Sequence, residues 1–163
     1  YQLTDFFVLF FNTFMQRPIT DGHFWSNHIS SNQVNVWNGL SFERVCMAHI
    51  QQIKRALGID RIGTEYYSWR SRNMKQGAQI DLLIERADRI INLCEIKYSA
   101  NEFRLTKDEN LNIQNRLADF VDETGTRFAI HPTMITTYGL RPNEYVGGIV
   151  AQVTMDDLFV DMR

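Results

Sequence analysis

Asp81, Glu95 and Lys97 are the residues whose types and spacing could do chemistry. They lie in GAQIDLLIERADRIINLCEIKYS, residues 77–99, where two β-prone runs flank a charged turn. A hairpin folded at Arg86-Ala87-Asp88-Arg89, or centred on Asp88, brings Asp81 opposite Cys94 or Glu95. Side chains alternate along a strand, so Glu95 and Lys97 share a face. Ile80, Leu82, Ile84, Cys94 and Ile96 are expected on the other face, in a core. A one-residue slip would reverse both sets, so the register should be firmly specified. Directly paired, Asp81 and Glu95 carry Cβ atoms about 5 Å apart. Their carboxylates then repel unless one is protonated or a cation lies between them. Hard oxygen ligands at that separation suit Mg²⁺ or Mn²⁺. A lysine two residues beyond the second ligand can reach the same space, to stabilise a pentavalent phosphate or orient a water. That chemistry is phosphodiester cleavage in outline. Glu-x-Lys is a common tripeptide, however, and the same three residues suit a solvated face with weak ion pairing.

Two further groups bear on the choice. Glu43 falls in the first turns of an apolar-periodic helix, where it could supply a third carboxylate or simply favour the helix dipole. Arg70, Arg72 and Lys75 sit in WRSRNMKQG, a basic loop just before the Asp81 strand, where they could hold a phosphate backbone or be ordinary solvated residues. The other candidates are bland. His49 lies on an apolar helix stripe, His131 precedes Pro132 at a strand end, and His23 and His28 show no ligand spacing. Cys46 and Cys94 fit buried positions in a reducing, cytoplasmic compartment, with no zinc-type pairing and no GxSxG elbow. Gln114 and Arg116, on a later helix, are expected at the surface.

The elements that must position these residues follow from periodicity. The opening YQLTDFFVLFFNTFMQR places Leu3, Phe7, Phe10 and Phe14 at helical spacing; the apolar run is too short for a membrane span and lacks a basic leader. Residues 18–39, with Pro18, Gly22, Gly39 and many Asn and Ser, read as a connection anchored by Trp25 and Trp37. Residues 40–58 predict one helix, with a stripe of Phe42, Cys46, His49, Ile53 and Leu57 and a stop at Gly58. Strands are expected at 64–70, on each arm of the hairpin, at 127–139 and near 150. A helix spans about 108–122, with Leu111, Leu117, Phe120 and Val121 as its buried face. The order is helix, three strands, helix, strand, which implies an α/β fold with helices covering a mixed sheet. The 163 residues are 44% apolar and 22% charged, enough for one core, and the formal charge of −2 supplies no global basic field for nucleic acid.

A helix bearing Glu, then Ile-Asp, then Glu-Ile-Lys resembles the PD-(D/E)XK nuclease superfamily, with Ile80 where the motif has proline. The resemblance implies a restriction-endonuclease-like core in α-β-β-β-α-β order. It places the acidic ligands on Asp81 and Glu95, the lysine on Lys97 and the helix glutamate on Glu43. The blocks WNGLSFERVCMAHIQQIKRALGI, YYSWR, GAQIDLLIER, INLCEIKYS, MITTYGL and VTMDDLF are similar to the C-terminal domain of a prokaryotic AAA+ ATPase family. That likeness implies residues 1–33 as a helix and linker from a preceding ATPase and winged-helix region, with residues 34–163 as the nuclease-like domain. No GxxxxGK[ST] occurs, so ATP belongs to a domain outside this sequence. The implied partners are DNA and the chain's own ATPase domain, without a membrane and with oligomers possible. The implied activity is metal-dependent DNA hydrolysis, against an inactive DNA-binding or protein-interaction module.

Overall fold

The computed structural model describes residues 5–16, 18–72 and 78–161. Five strands form one mixed sheet in sequence order: β1 (Thr64–Arg70), β2 (Gln79–Arg86), β3 (Ile90–Lys97), β4 (Ala129–Thr136) and β5 (Ala151–Thr154). The β1–β2 and β2–β3 pairs are antiparallel, and β3–β4 and β4–β5 are parallel. A parallel pair needs a crossover, and α5 (Lys107–Thr124) supplies the first. Helices α3 (Asn32–Ala48) and α4 (Ile50–Ala56) precede the sheet, so the α-β-β-β-α-β order expected from the sequence is the observed one.

Both sheet faces are buried, which is why Leu82, Leu83 and Ile84 are all fully covered in succession. On one face Leu82, Ile84, Cys94 and Ile96 pack with Phe42 and Cys46 of α3, Ile50 and Ile53 of α4, and Val153 and Leu158. On the other, Leu83, Ile91 and Leu93 pack with Phe120 of α5 and, at the margin, Trp69, Leu117 and Val121. Ile80 belongs to this second cluster, not to the Leu82 face expected from strict alternation. The cause is a bulge. Tyr67 pairs with Leu83 but Trp69 with Ile80, so two steps on β1 span three on β2. The extra residue falls at Asp81–Leu82 and turns Ile80 to the opposite face.

The hairpin turn is Ala87–Arg89, with Arg89 in the left-handed region at φ 66°. Three-residue hairpin loops place a residue there, and Arg86 and Asp88 pair beside it. Helix α5 carries a reciprocal cap, Thr106 with Glu109, and ends at Gly125 with φ 63°. Its buried face is Ile113 and Phe120, flanked by Leu117 and Val121. Leu111 is 51% exposed, contrary to expectation, because it lies about 180° around the helix from Phe120 at 3.6 residues per turn.

The region before the sheet is more helical than its composition suggests. Helix α2 (Phe24–His28) forms within the expected connection, and α3 starts at Asn32 because Ser31 Oγ accepts from the Val34 N–H at 3.3 Å. The helix expected over 40–58 is interrupted at His49, where φ −110° and ψ 31° break the α geometry. Gly58 stops it as expected, at φ 68°. Helix α1 (Phe6–Phe10) runs into a π-helical turn (Phe11–Met15). The wider turn shifts the phase of the aromatic stripe. Phe10 and Phe14 meet Trp25 and Trp37, whereas Phe7 is 68% exposed. Leu3 lies outside the described residues. No helix among the described residues is long and apolar enough to cross a membrane.

Candidate active site

The β2–β3 pairing runs from Glu85 with Ile91 to Leu82 with Cys94, so Asp81 and Glu95 each lie one residue beyond its last pair. Both line a cavity of about 490 Å³ with Gln79, Lys97, Asn112, Asn115, Arg116 and Asp119. Two strands and α5 therefore form its walls. Glu95 is 3% exposed. A carboxylate so buried needs partners, and it has two: Lys97 Nζ lies 2.8 Å from Oε1, and Arg116 Nη1 holds Oε2.

Arg116 is thus a site residue, not the surface position expected from the sequence. Its signal was faint: Asn112, Asn115, Arg116 and Asp119 form a polar stripe at i, i+3, i+4 and i+7, bordering the apolar stripe that buries α5.

Asp81 is less well provided for. Its Oδ1 accepts from Gln79 Nε2 at 3.3 Å, and the Gln79 Oε1 accepts from Arg70 Nη2 at 2.7 Å. Burial raises the Asp81 pKa above its ordinary value, and the neighbouring charge of Glu95 raises it further. Asp81 and Gln79 also line a second cavity, of about 420 Å³, on the α3 side. There Glu43 lies with Arg44, Leu40, Met47, Ser68 and Phe6. Burial raises the Glu43 pKa, and the charge of Asp81 adds to it. Glu43 lines the second cavity and not the first, Asp81 borders both, and the charges of Lys97 and Glu95 also reach Glu43. The bulge at Asp81 explains how one side chain borders both spaces, since a bulged strand redirects its side chains.

The basic loop is only partly described. Arg70 ends β1 and joins the site through Gln79. The Arg72 backbone N–H donates to Glu123 Oε2 at 3.1 Å, and Ser71 donates to Oε1 of the same residue, so an acidic group from α5 anchors the loop. Lys75 lies outside the described residues.

The donor set suits a hard divalent cation: Asp81 and Glu95 are oxygen ligands facing one cavity, and Asp81 carries charge that burial leaves poorly compensated. Among the described residues no group of three or more His, Cys, Asp or Glu side chains stands ready to hold an ion. An ion would accordingly depend on Asp81 and Glu95, with Glu43 acting through water.

No protein-family model matches the chain, and no curated protein sequence matches it. The crystal structure of the protein of unknown function AF1548 is similar at 16% identity and a TM-score of 0.47, over 70% of this chain and 64% of that one. The match thus spans less than two thirds of that protein, and a likeness of this degree carries no argument about chemistry.

Proposed function

We propose that the domain hydrolyses DNA phosphodiesters with Mg²⁺ or Mn²⁺ held by Asp81 and Glu95. One observation carries the reading: Asp81 and a buried Glu95 line a single polar cavity, with the Lys97 ammonium 2.8 Å from the second carboxylate. When bound, a divalent cation supplies Lewis acidity and a more acidic water. The chain's own residues do the rest. Asp81 and Glu95 would hold the cation at one point of the cavity, which offsets the repulsion that two carboxylates otherwise exert on a phosphate there. Lys97 orients the attacking water and offsets charge that grows on the phosphoryl oxygens. Glu43, across Asp81, orients a water or accepts a proton from it. Arg70 and Arg72 track the phosphate backbone beside the site, and Lys75 of the same sequence stretch is a further candidate. The resemblance to AAA+ C-terminal domains makes an ATPase domain of the same protein the partner in this reading.

The test is nicking of supercoiled plasmid by the purified domain with Mn²⁺. Wild type should nick, and Asp81→Asn and Lys97→Ala should lose at least about a hundredfold in rate while keeping the wild-type circular dichroism. Equal nicking by all three would assign the activity to a contaminant and end the reading.

A second reading has its own support. Lys97 and Arg116 occupy both Glu95 oxygens, which is how a carboxylate with a purely structural role would be satisfied. An inactive DNA-binding or interaction module would then bind duplex DNA without cleaving it in any divalent metal.

A further inference from the structure

Glu95 has more positive charge beside it than it needs, and Asp81 has less. Lys97 and Arg116 both contact the one buried carboxylate, whereas, among the described residues, the hydrogen bond at Asp81 comes from a neutral amide. The charged side chains that line the cavity are Asp81, Glu95 and Asp119 against Lys97 and Arg116, so two positive groups stand there before any metal enters. A divalent cation joining Asp81 and Glu95 would therefore meet two positive groups in a half-buried space, where charges interact more strongly than in water.

The two cations differ in their freedom to leave. Lys97 follows Glu95 by two residues on the same strand and face, so it stays nearby. Arg116 reaches across from α5, has 29% of its side chain exposed, and lines the cavity with Asn112 and Asn115. A guanidinium that pairs with carboxylate pairs equally well with a phosphodiester, whose oxygens match the same donor fork.

Resting on the nuclease reading, we infer that Arg116 gates the metal site. It holds Glu95 Oε2 in the free protein and transfers to the substrate phosphate, so metal and phosphodiester bind together and each tightens the other. Arg116 is a positioning residue in this scheme, acting on the metal ligand and then on the scissile strand. Such coupling is reciprocal by linkage.

The experiment is a Mn²⁺ titration, read by calorimetry and by the spin-resonance signal of free Mn²⁺, on the whole chain with and without a short DNA duplex. Without DNA, Arg116→Gln should bind Mn²⁺ at least about tenfold more tightly than wild type, the scale of ordinary site coupling. The duplex should tighten Mn²⁺ binding to wild type by a similar factor and to Arg116→Gln much less. Arg116→Gln binding Mn²⁺ no better than wild type, with unchanged circular dichroism, would overturn the inference. So would equal tightening by DNA in both proteins. If the variant fails to fold, the wild-type pair of titrations decides, and no tightening by DNA overturns it. Asp81→Asn serves as the control on the underlying reading. Unchanged Mn²⁺ affinity there would place the ion elsewhere and remove the nuclease reading itself, whereas loss in Asp81→Asn with no effect of Arg116→Gln would remove the gate alone.

Discussion

Replacing Asp81 with asparagine should make the metal-free protein more stable. Asp81 is half-buried, lines one cavity with Glu95 and, among the described residues, accepts one hydrogen bond, from the Gln79 amide. Burial works against the ionised form of Asp81, and the charge of Glu95 adds to it. Two full charges about 5 Å apart, with an effective dielectric constant near 20, repel by about 3 kcal/mol. Lys97 and Arg116 pair with Glu95 and their charges also act on Asp81 in the opposite sense, which brings the net to the order of 1 kcal/mol. Asparagine keeps the volume and the acceptor for Gln79 while removing the charge. For a chain of this size 1 kcal/mol corresponds to a rise in Tm of about 2–4 °C. Thermal unfolding followed by circular dichroism in a chelator should show that rise. Added Mn²⁺ should then reverse the ranking, because a ligand at a hundredfold excess over its Kd stabilises the wild type by about 2.7 kcal/mol and the variant hardly at all. A variant that melts below wild type in chelator would refute the reasoning, since it would mean that Asp81 already has favourable charge partners.

Thr106→Ala removes one half of the reciprocal cap on α5 and should cost about 1 kcal/mol, read as a Tm lower by about 2–4 °C. Cys46 and Cys94 are both fully buried, and burial pushes the Cys46 thiol up to about 12 and that of Cys94 upward as well. Neither should react with a thiol reagent in the folded protein, and both should react in denaturant; fast reaction of either in the native state would contradict the packing of α3 on the sheet. Tyr67 is pushed up to about 12 by burial and by the Glu85 carboxylate that accepts from its hydroxyl at 2.7 Å. The folded state keeps that proton where the unfolded chain, near 10, has lost it, so this contribution to stability is full below pH 10 and disappears as pH rises toward 12. Absorbance titration of the phenolate band checks it, and Glu85→Gln should lower the midpoint.

Much of this arrangement could be read from the chain because it depends on local periods. The strands at 64–70 and on both hairpin arms follow from β-branched and aromatic runs, and the turn follows from the charged residues between them. The hairpin register from Leu82 with Cys94 to Glu85 with Ile91 follows the apolar residues, and it brings the strand ends that carry Asp81 and Glu95 to one cavity. The stop at Gly58 is a cap signal of the same local kind. What escaped depends on relations between elements. The bulge that turns Ile80 to the α5 face is set by β1 against β2, and period-2 reasoning on β2 alone cannot contain it. The early start of α3 rests on one serine cap inside a stretch whose Asn, Ser and Gly content suggests a loop, and packing of Trp37 against Phe10 and Phe14 overrides that composition.

Arg116 shows why a site can be half visible in a sequence. A strand announces its charged residues by interrupting an apolar run, so Asp81, Glu95 and Lys97 stand out among Ile and Leu. A charged residue on an amphipathic helix interrupts nothing, because half of every such helix is polar. Arg116 stands out only in space, where α5 brings it against the buried Glu95. Yet it is what lets that burial occur: a carboxylate 3% exposed cannot rest on one partly exposed ammonium without a large desolvation cost. In the proposed reaction the same guanidinium that makes the fold tolerate Glu95 would have to release the oxygen that binds the metal. Stability of the resting domain and readiness to bind a cation would then be opposed at one side chain, and a phosphate that draws Arg116 away would relieve the opposition.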